Sequence, residues 1–131
     1  MGLDISVGDK RYYSHSYHCI HELRLFAAQK EYPIVTNLDE IYKIFPSFTR
    51  FKALINHSDA EYGYLPAGIE PPYKADDTDI SWQWQSSEEL LKELEDLGQY
   101  EITDEHLKSI YSQLFEAAKA SVAENKAMEF H

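Results

Sequence analysis

Leu3, Ile5 and Val7 alternate with Asp4 and Ser6, the period-two pattern of a strand with one buried face. Gly8-Asp9 supplies a turn after it. From Ser14 to Lys30 no breaker interrupts the chain, and Ile20, Leu23 and Ala27 recur at spacings of three and four, with Cys19 and Phe26 beside them. This predicts one amphipathic helix, closed at Tyr32-Pro33 because proline disfavours helix in the residue before it. Asn37 is a good cap for a second, short helix carrying Leu38, Ile41, Tyr42 and Phe45 before Pro46.

The apolar run from Phe51 to His57 reads as a second strand. Residues 58–78 are punctuated by Asp59, Gly63, Pro66, Gly68, Pro71 and Pro72, and they read as an ordered loop packed by its own tyrosines. Ile80, Trp82 and Trp84 alternate with Ser81, Gln83 and Gln85, predicting a third strand over 79–85. It runs into Ser86-Ser-Glu-Glu89, a capping box, and then a helix striped by Leu90, Leu91, Leu94 and Leu97, with Gly98 placed for a left-handed C-cap. The last helix starts behind Thr103 or Asp104 and runs to about Lys126 on Leu107, Ile110, Tyr111, Leu114, Phe115, Ala118 and Val122. These elements predict a compact single-domain α+β fold over 1–131, with a small, mainly antiparallel sheet covered by about four helices.

Composition narrows the function classes. At 131 residues the chain has room for one ordinary domain, and 44% hydrophobic and 14% aromatic residues exclude disorder and low complexity. No run approaches a membrane span of about 18 apolar residues. Met1 to Gly8 lacks the basic and apolar regions of a secretory signal. Gly2 and Ser6 fit the loose acylation pattern, but the alternation of Leu3, Ile5 and Val7 favours a strand. One cysteine, Cys19, excludes an internal disulfide and suits a reducing, cytoplasmic setting.

The net charge of −11 is unevenly spread. Residues 1–69 hold 8 acids against 7 bases, whereas residues 70–105 hold 12 acids against only Lys74 and Lys92. Such a balance repels nucleic acid phosphates and anionic lipid, so a basic protein partner or a cation fits it better, and the partner expected is a small ligand or a basic protein. A symmetric dimer is the commonest assembly for a chain of this kind.

Three segments together resemble a set of bacterial and phage-type proteins of unknown function. They are Met1-Gly-Leu-Asp-Ile5, the central Ile55-Asn-His-Ser-Asp59 followed by Glu61 to Pro66, and the Trp82 segment leading into Glu89-Leu-Leu-Lys-Glu93. In that family the central segment reads histidine, serine, aspartate, a small residue, an acid and glycine; here Tyr62 stands between Glu61 and Gly63. The resemblance brings no activity with it, but it draws attention to the loop around His57 and Asp59.

Candidate chemistry follows from the histidines and tyrosines. If the first helix starts at Ser14, His15, His18 and Glu22 fall within an arc of about 60°. Those residue types, with His57 or Asp59 from the loop, are a ligand set for zinc, and an open position would let the metal activate water. A metal-dependent hydrolase is therefore the alternative reading, with His15, His18, Glu22 and His57 as ligands. His57-Ser58-Asp59 has the residue types of a serine triad, but contiguous side chains point apart, so a local turn is expected instead. Asp76, Asp77, Asp79 and Glu70 lack the spacing of a calcium loop. Cys19, beside the Leu23 stripe, is expected to be buried and inert.

No phosphate loop or dinucleotide fingerprint is present. The preferred reading is a binding or interaction domain without catalysis or cofactor. Its site would lie between the first helix and the 57–66 loop, with Tyr13, His15, His18 and Glu22 facing His57, Asp59, Tyr62 and Tyr64.

Overall fold

The computed structural model describes residues 2–16, 19–44, 47–57, 80–82, 84–126 and 128–130. Strand β1 (Gly2–Val7) and strand β2 (Lys10–Ser16) form an antiparallel hairpin. Gly8, at φ 61°, takes the first turn position in the left-handed region, where only glycine is free of strain. Ile5 pairs with Tyr13 and Ser6 with Arg11, so Tyr12 is one residue too many and forms a bulge.

Strand β4 (Met128–Phe130) pairs with β1, and strand β3 (Ile80–Trp82) pairs with β4, so the antiparallel sheet runs β2-β1-β4-β3. Ile5, Val7, Tyr13 and Met128 are buried on one face. The other face is polar: Ser14 Oγ donates to Asp4 Oδ1 at 2.7 Å across the strands, and Arg11 Nη1 lies 3.5 Å from Asp4 Oδ2. An antiparallel sheet tolerates this one-sided burial because its polar face can stay in water.

The described helices are α1 (Cys19–Glu31), α2 (Leu38–Ile44), α3 (Lys52–His57), α4 (Trp84–Leu97) and α5 (Glu105–Glu124). Helix α5 is the spine, packing against β1, β2, β4, α1 and α4. Its apolar face buries Ile110, Leu114, Ala117 and Ala118, in line with the expected stripe. Leu90, Leu94 and Leu97 of α4 and Ile20, Leu23 and Ala27 of α1 are buried as their spacing requires. The α+β architecture with a small antiparallel sheet under helices is therefore as the sequence predicts.

Several local expectations need correction. Residues 14–16 belong to β2, so the first helix begins at Cys19 and not Ser14. Tyr13 and His15 share the period-two inner face of a strand, and nothing in their polarity distinguishes that from a helix start. Residues 52–57 form α3, not a strand. Among the described residues no local side chain caps α3; instead the Glu93 carboxylate of α4 accepts from Ala53 N at 2.9 Å and Leu54 N at 2.8 Å. The Glu31 carboxylate likewise accepts from Thr49 N and Arg50 N, so two distant acids hold the segment leading into α3.

Helix α4 begins at Trp84, which places Ser86–Glu89 inside its first turns and not at its cap. Ser87 is buried, and Ser121 Oγ donates to its Oγ at 2.8 Å. The cap of α2 is as expected: Asn37 Oδ1 accepts from Glu40 N at 3.0 Å. Helix α5 ends at Glu124 on the left-handed Asn125 (φ 55°), two residues short of Lys126, and β4 beyond it is too short to leave a pattern.

Gly98 is not a left-handed cap, since Gly8 is the one glycine at positive φ among the described residues. It is glycine for lack of space. A Cβ there would stand 2.6 Å from Tyr111 Oη, which donates to Leu94 O at 2.5 Å. Gly98→Ala should therefore lower stability by about 1–2 kcal/mol through overpacking. In a Tyr111→Phe background most of that loss should vanish. Denaturant melts of the two single mutants and the double mutant check it, and additive losses would rule out the clash.

Candidate functional site

The hairpin and two helix starts converge at one corner. On β2, residues 13 and 15 lie two apart, so Tyr13 and His15 both point to the inner face, with ring centroids 5.0 Å apart and planes at 69°. Cys19 is the first residue of α1, and Glu22 sits one turn further on. Helix α5 is started by Asp104, whose carboxylate accepts from His106 N at 2.9 Å and Leu107 N at 3.1 Å. This cap places His106 in the first turn, facing the other two elements.

His106 is the hub. Its Nε2 lies 3.3 Å from Cys19 Sγ and 3.9 Å from Glu22 Oε2, and its ring meets His15 edge to face at 5.6 Å. Gln113, two turns along α5, accepts from Ser14 N at 3.0 Å and so ties α5 to the outer edge of β2.

Two polar atoms in this corner, Tyr13 Oη and His15 Nε2, are buried with no hydrogen-bond partner. Tyr13 is fully buried. Burial, with Cys19 and Glu22 nearby, pushes its phenol far above the ordinary value, so it stays a protonated donor. Burial and His106 hold the His15 imidazole below its usual value, partly offset by Gln113, so His15 is neutral at pH 7. The corner thus offers one O–H donor, one neutral imidazole nitrogen, a thiol–imidazole pair and a carboxylate.

Of the residues expected from the sequence, Tyr13, His15 and Glu22 do meet here. They meet by a different route: His15 lies on β2, so the shared helical arc of His15, His18 and Glu22 does not exist. The helical-spacing argument for the zinc ligands therefore does not apply to His15, while His18 and the side chain of His57 lie outside the described residues. Among the described residues no group of three or more His, Cys, Asp or Glu side chains is arranged to hold a metal ion. His18, Asp59, Tyr62 and Tyr64, the side chain of His57, and the acidic run Asp76, Asp77 and Asp79 lie outside the described residues.

His106 and Gln113 carry no local signal of a role; only the packing of α5 across β2 brings them in. Arg24 is fully buried, with Nη1 3.1 Å from His21 Nδ1. No helix among the described residues is long and apolar enough to cross a membrane. Comparison with protein-family models, curated proteins and solved structures finds no match for this chain.

Proposed function

We propose that this protein is a small-ligand-binding domain whose site is built on the corner formed by β2 and the first turns of α1 and α5. Tyr13, His15 and Glu22 line it, together with His106. The observation that carries the reading is the pair of orphaned polar atoms, Tyr13 Oη and His15 Nε2. A buried polar group without a partner costs about 1–3 kcal/mol, and a bound molecule with an acceptor for the phenol recovers that loss. Binding sites are commonly less stable than they could be, for this reason.

The reading has a stability signature. Tyr13→Phe removes a hydroxyl that bonds to nothing, so it should leave stability unchanged or raise it by up to about 1 kcal/mol. A loss larger than that in a denaturant melt would mean that the hydroxyl serves the fold. Native mass spectrometry of untagged protein beside its denatured mass tests for the ligand itself. An organic adduct present in the wild type and absent from Tyr13→Phe is the expected result. A bare chain throughout, with a destabilised Tyr13→Phe, would overturn the proposal.

A further inference from the structure

Ligand binding alone leaves one group of the corner idle. Cys19 is the chain's one cysteine, and its Sγ is 3.3 Å from His106 Nε2, within hydrogen-bond reach for sulfur. The His106 side chain is 54% exposed, so a proton that it takes can exchange with water. Glu22 Oε2 lies 3.9 Å from the same nitrogen. A nucleophile within hydrogen-bond reach of a base is the starting arrangement of an activated side chain.

Tyr13 supplies the independent observation. Its hydroxyl is buried and has no acceptor, and its ring lies 5.0 Å from that of His15, which in turn meets the His106 ring at 5.6 Å. A thiol and an unused O–H donor held in one corner suit a ligand with an electrophilic carbon and a carbonyl oxygen a few bonds apart.

We propose that the corner captures α,β-unsaturated carbonyl compounds as covalent adducts on Cys19. The inference rests on the binding reading and names the class of ligand. Cys19 Sγ bonds to the β-carbon, and the electron pair of the carbon–carbon double bond shifts through the α-carbon towards the carbonyl oxygen. His106 Nε2 takes the thiol proton and returns it to the α-carbon. Tyr13 Oη donates to the carbonyl oxygen as charge builds there. Nothing leaves, and no oxidant or reductant is consumed. The event is stoichiometric capture.

Two probes test it on the full chain, read by intact mass: acrylamide, which has the carbonyl, and methyl methanethiosulfonate, which does not. The wild type should form a single acrylamide adduct at least about 10-fold faster than glutathione at the same pH. Cys19→Ser should form none, and His106→Gln should slow both probes. Tyr13→Phe should slow acrylamide several-fold more than it slows the thiosulfonate. Circular dichroism confirms that each variant is folded.

A wild-type rate at or below that of glutathione overturns the inference, as does an equal effect of Tyr13→Phe on both probes. The two proposals fail separately. A ligand that is lost on denaturation, with Cys19 unreactive, ends covalent capture and keeps the binding site. A reactive Cys19 in a chain destabilised by Tyr13→Phe ends the binding reading.

Discussion

Leu114→Ala should lower the stability of the fold by about 3–4 kcal/mol, more than any other single truncation considered for this chain. Leu114 is fully buried at the middle of α5, the helix that touches three strands and two helices. Losing three carbons there forfeits their transfer free energy and leaves a cavity that five neighbouring elements cannot all close at once. Leu107, at the first turn of the same helix, is only partly buried, and its truncation should cost less than half as much. Urea melts of both variants test the ranking. Comparable losses at 107 and 114 would mean that α5 is not the spine of the core.

Glu93→Ala should cost about 2–3 kcal/mol, because it strips Ala53 N and Leu54 N of their acceptor at the start of α3. Leu54 and Ile55 are fully buried, so loosening α3 also loosens core. The same carboxyl makes stability depend on pH. Burial is the main cause that raises it to about 7; Glu89 and Asp96 add to this, and the two backbone donors oppose it.

The folded state then holds the Glu93 proton between its ordinary range near 4.5 and about 7, while the unfolded state does not. Its contribution is therefore complete below about pH 4.5 and is lost as pH rises through 7. Glu31 acts in the opposite sense: its backbone and side-chain hydrogen bonds to Thr49 and Arg50 hold it below the usual range despite burial, so its contribution is lost in acid. The neutral His15 also favours the fold less as pH falls below 6.5. A difference measurement isolates Glu93. Relative to the wild type, Glu93→Gln should gain about 2–3 kcal/mol between pH 4.5 and 8. A flat difference would mean that the carboxylate is solvated.

The two acids also mark how far the sequence could be read. Helices α4 and α5 are legible because each carries a long apolar stripe; α5 adds a local cap in Asp104, and α2 has its own cap in Asn37. Helix α3 is six residues long, and its N-terminal amides are satisfied from forty residues downstream. With no local cap and a run of apolar side chains, it looks like a strand. The β2–α1 boundary fails for a related reason. Tyr13 and His15 have apolar bodies and polar tips, so a two-residue period through Lys10–Ser16 does not stand out, and only pairing with β1 makes it a strand.

The make-up of the candidate corner was half legible. Tyr13, His15 and Glu22 were drawn together by residue type, although through a helix that starts too early. Cys19 was rightly expected to be buried, but the imidazole beside it comes from residue 106. Contacts across 87 positions of chain leave no trace in local spacing.

The place of β4 in the sheet has a consequence in time. Strand β1 reaches β3 only through residues 128–130. On a ribosome the hairpin of β1 and β2 can close once residues 2–16 have emerged, and α1 can form soon after. The middle of the sheet then stays vacant until residue 130 has left the exit tunnel. Until that moment, the edge of β1 at Ile5 to Val7 is an unpaired template beside an unfinished core, the condition in which nascent chains pair with one another or recruit chaperones.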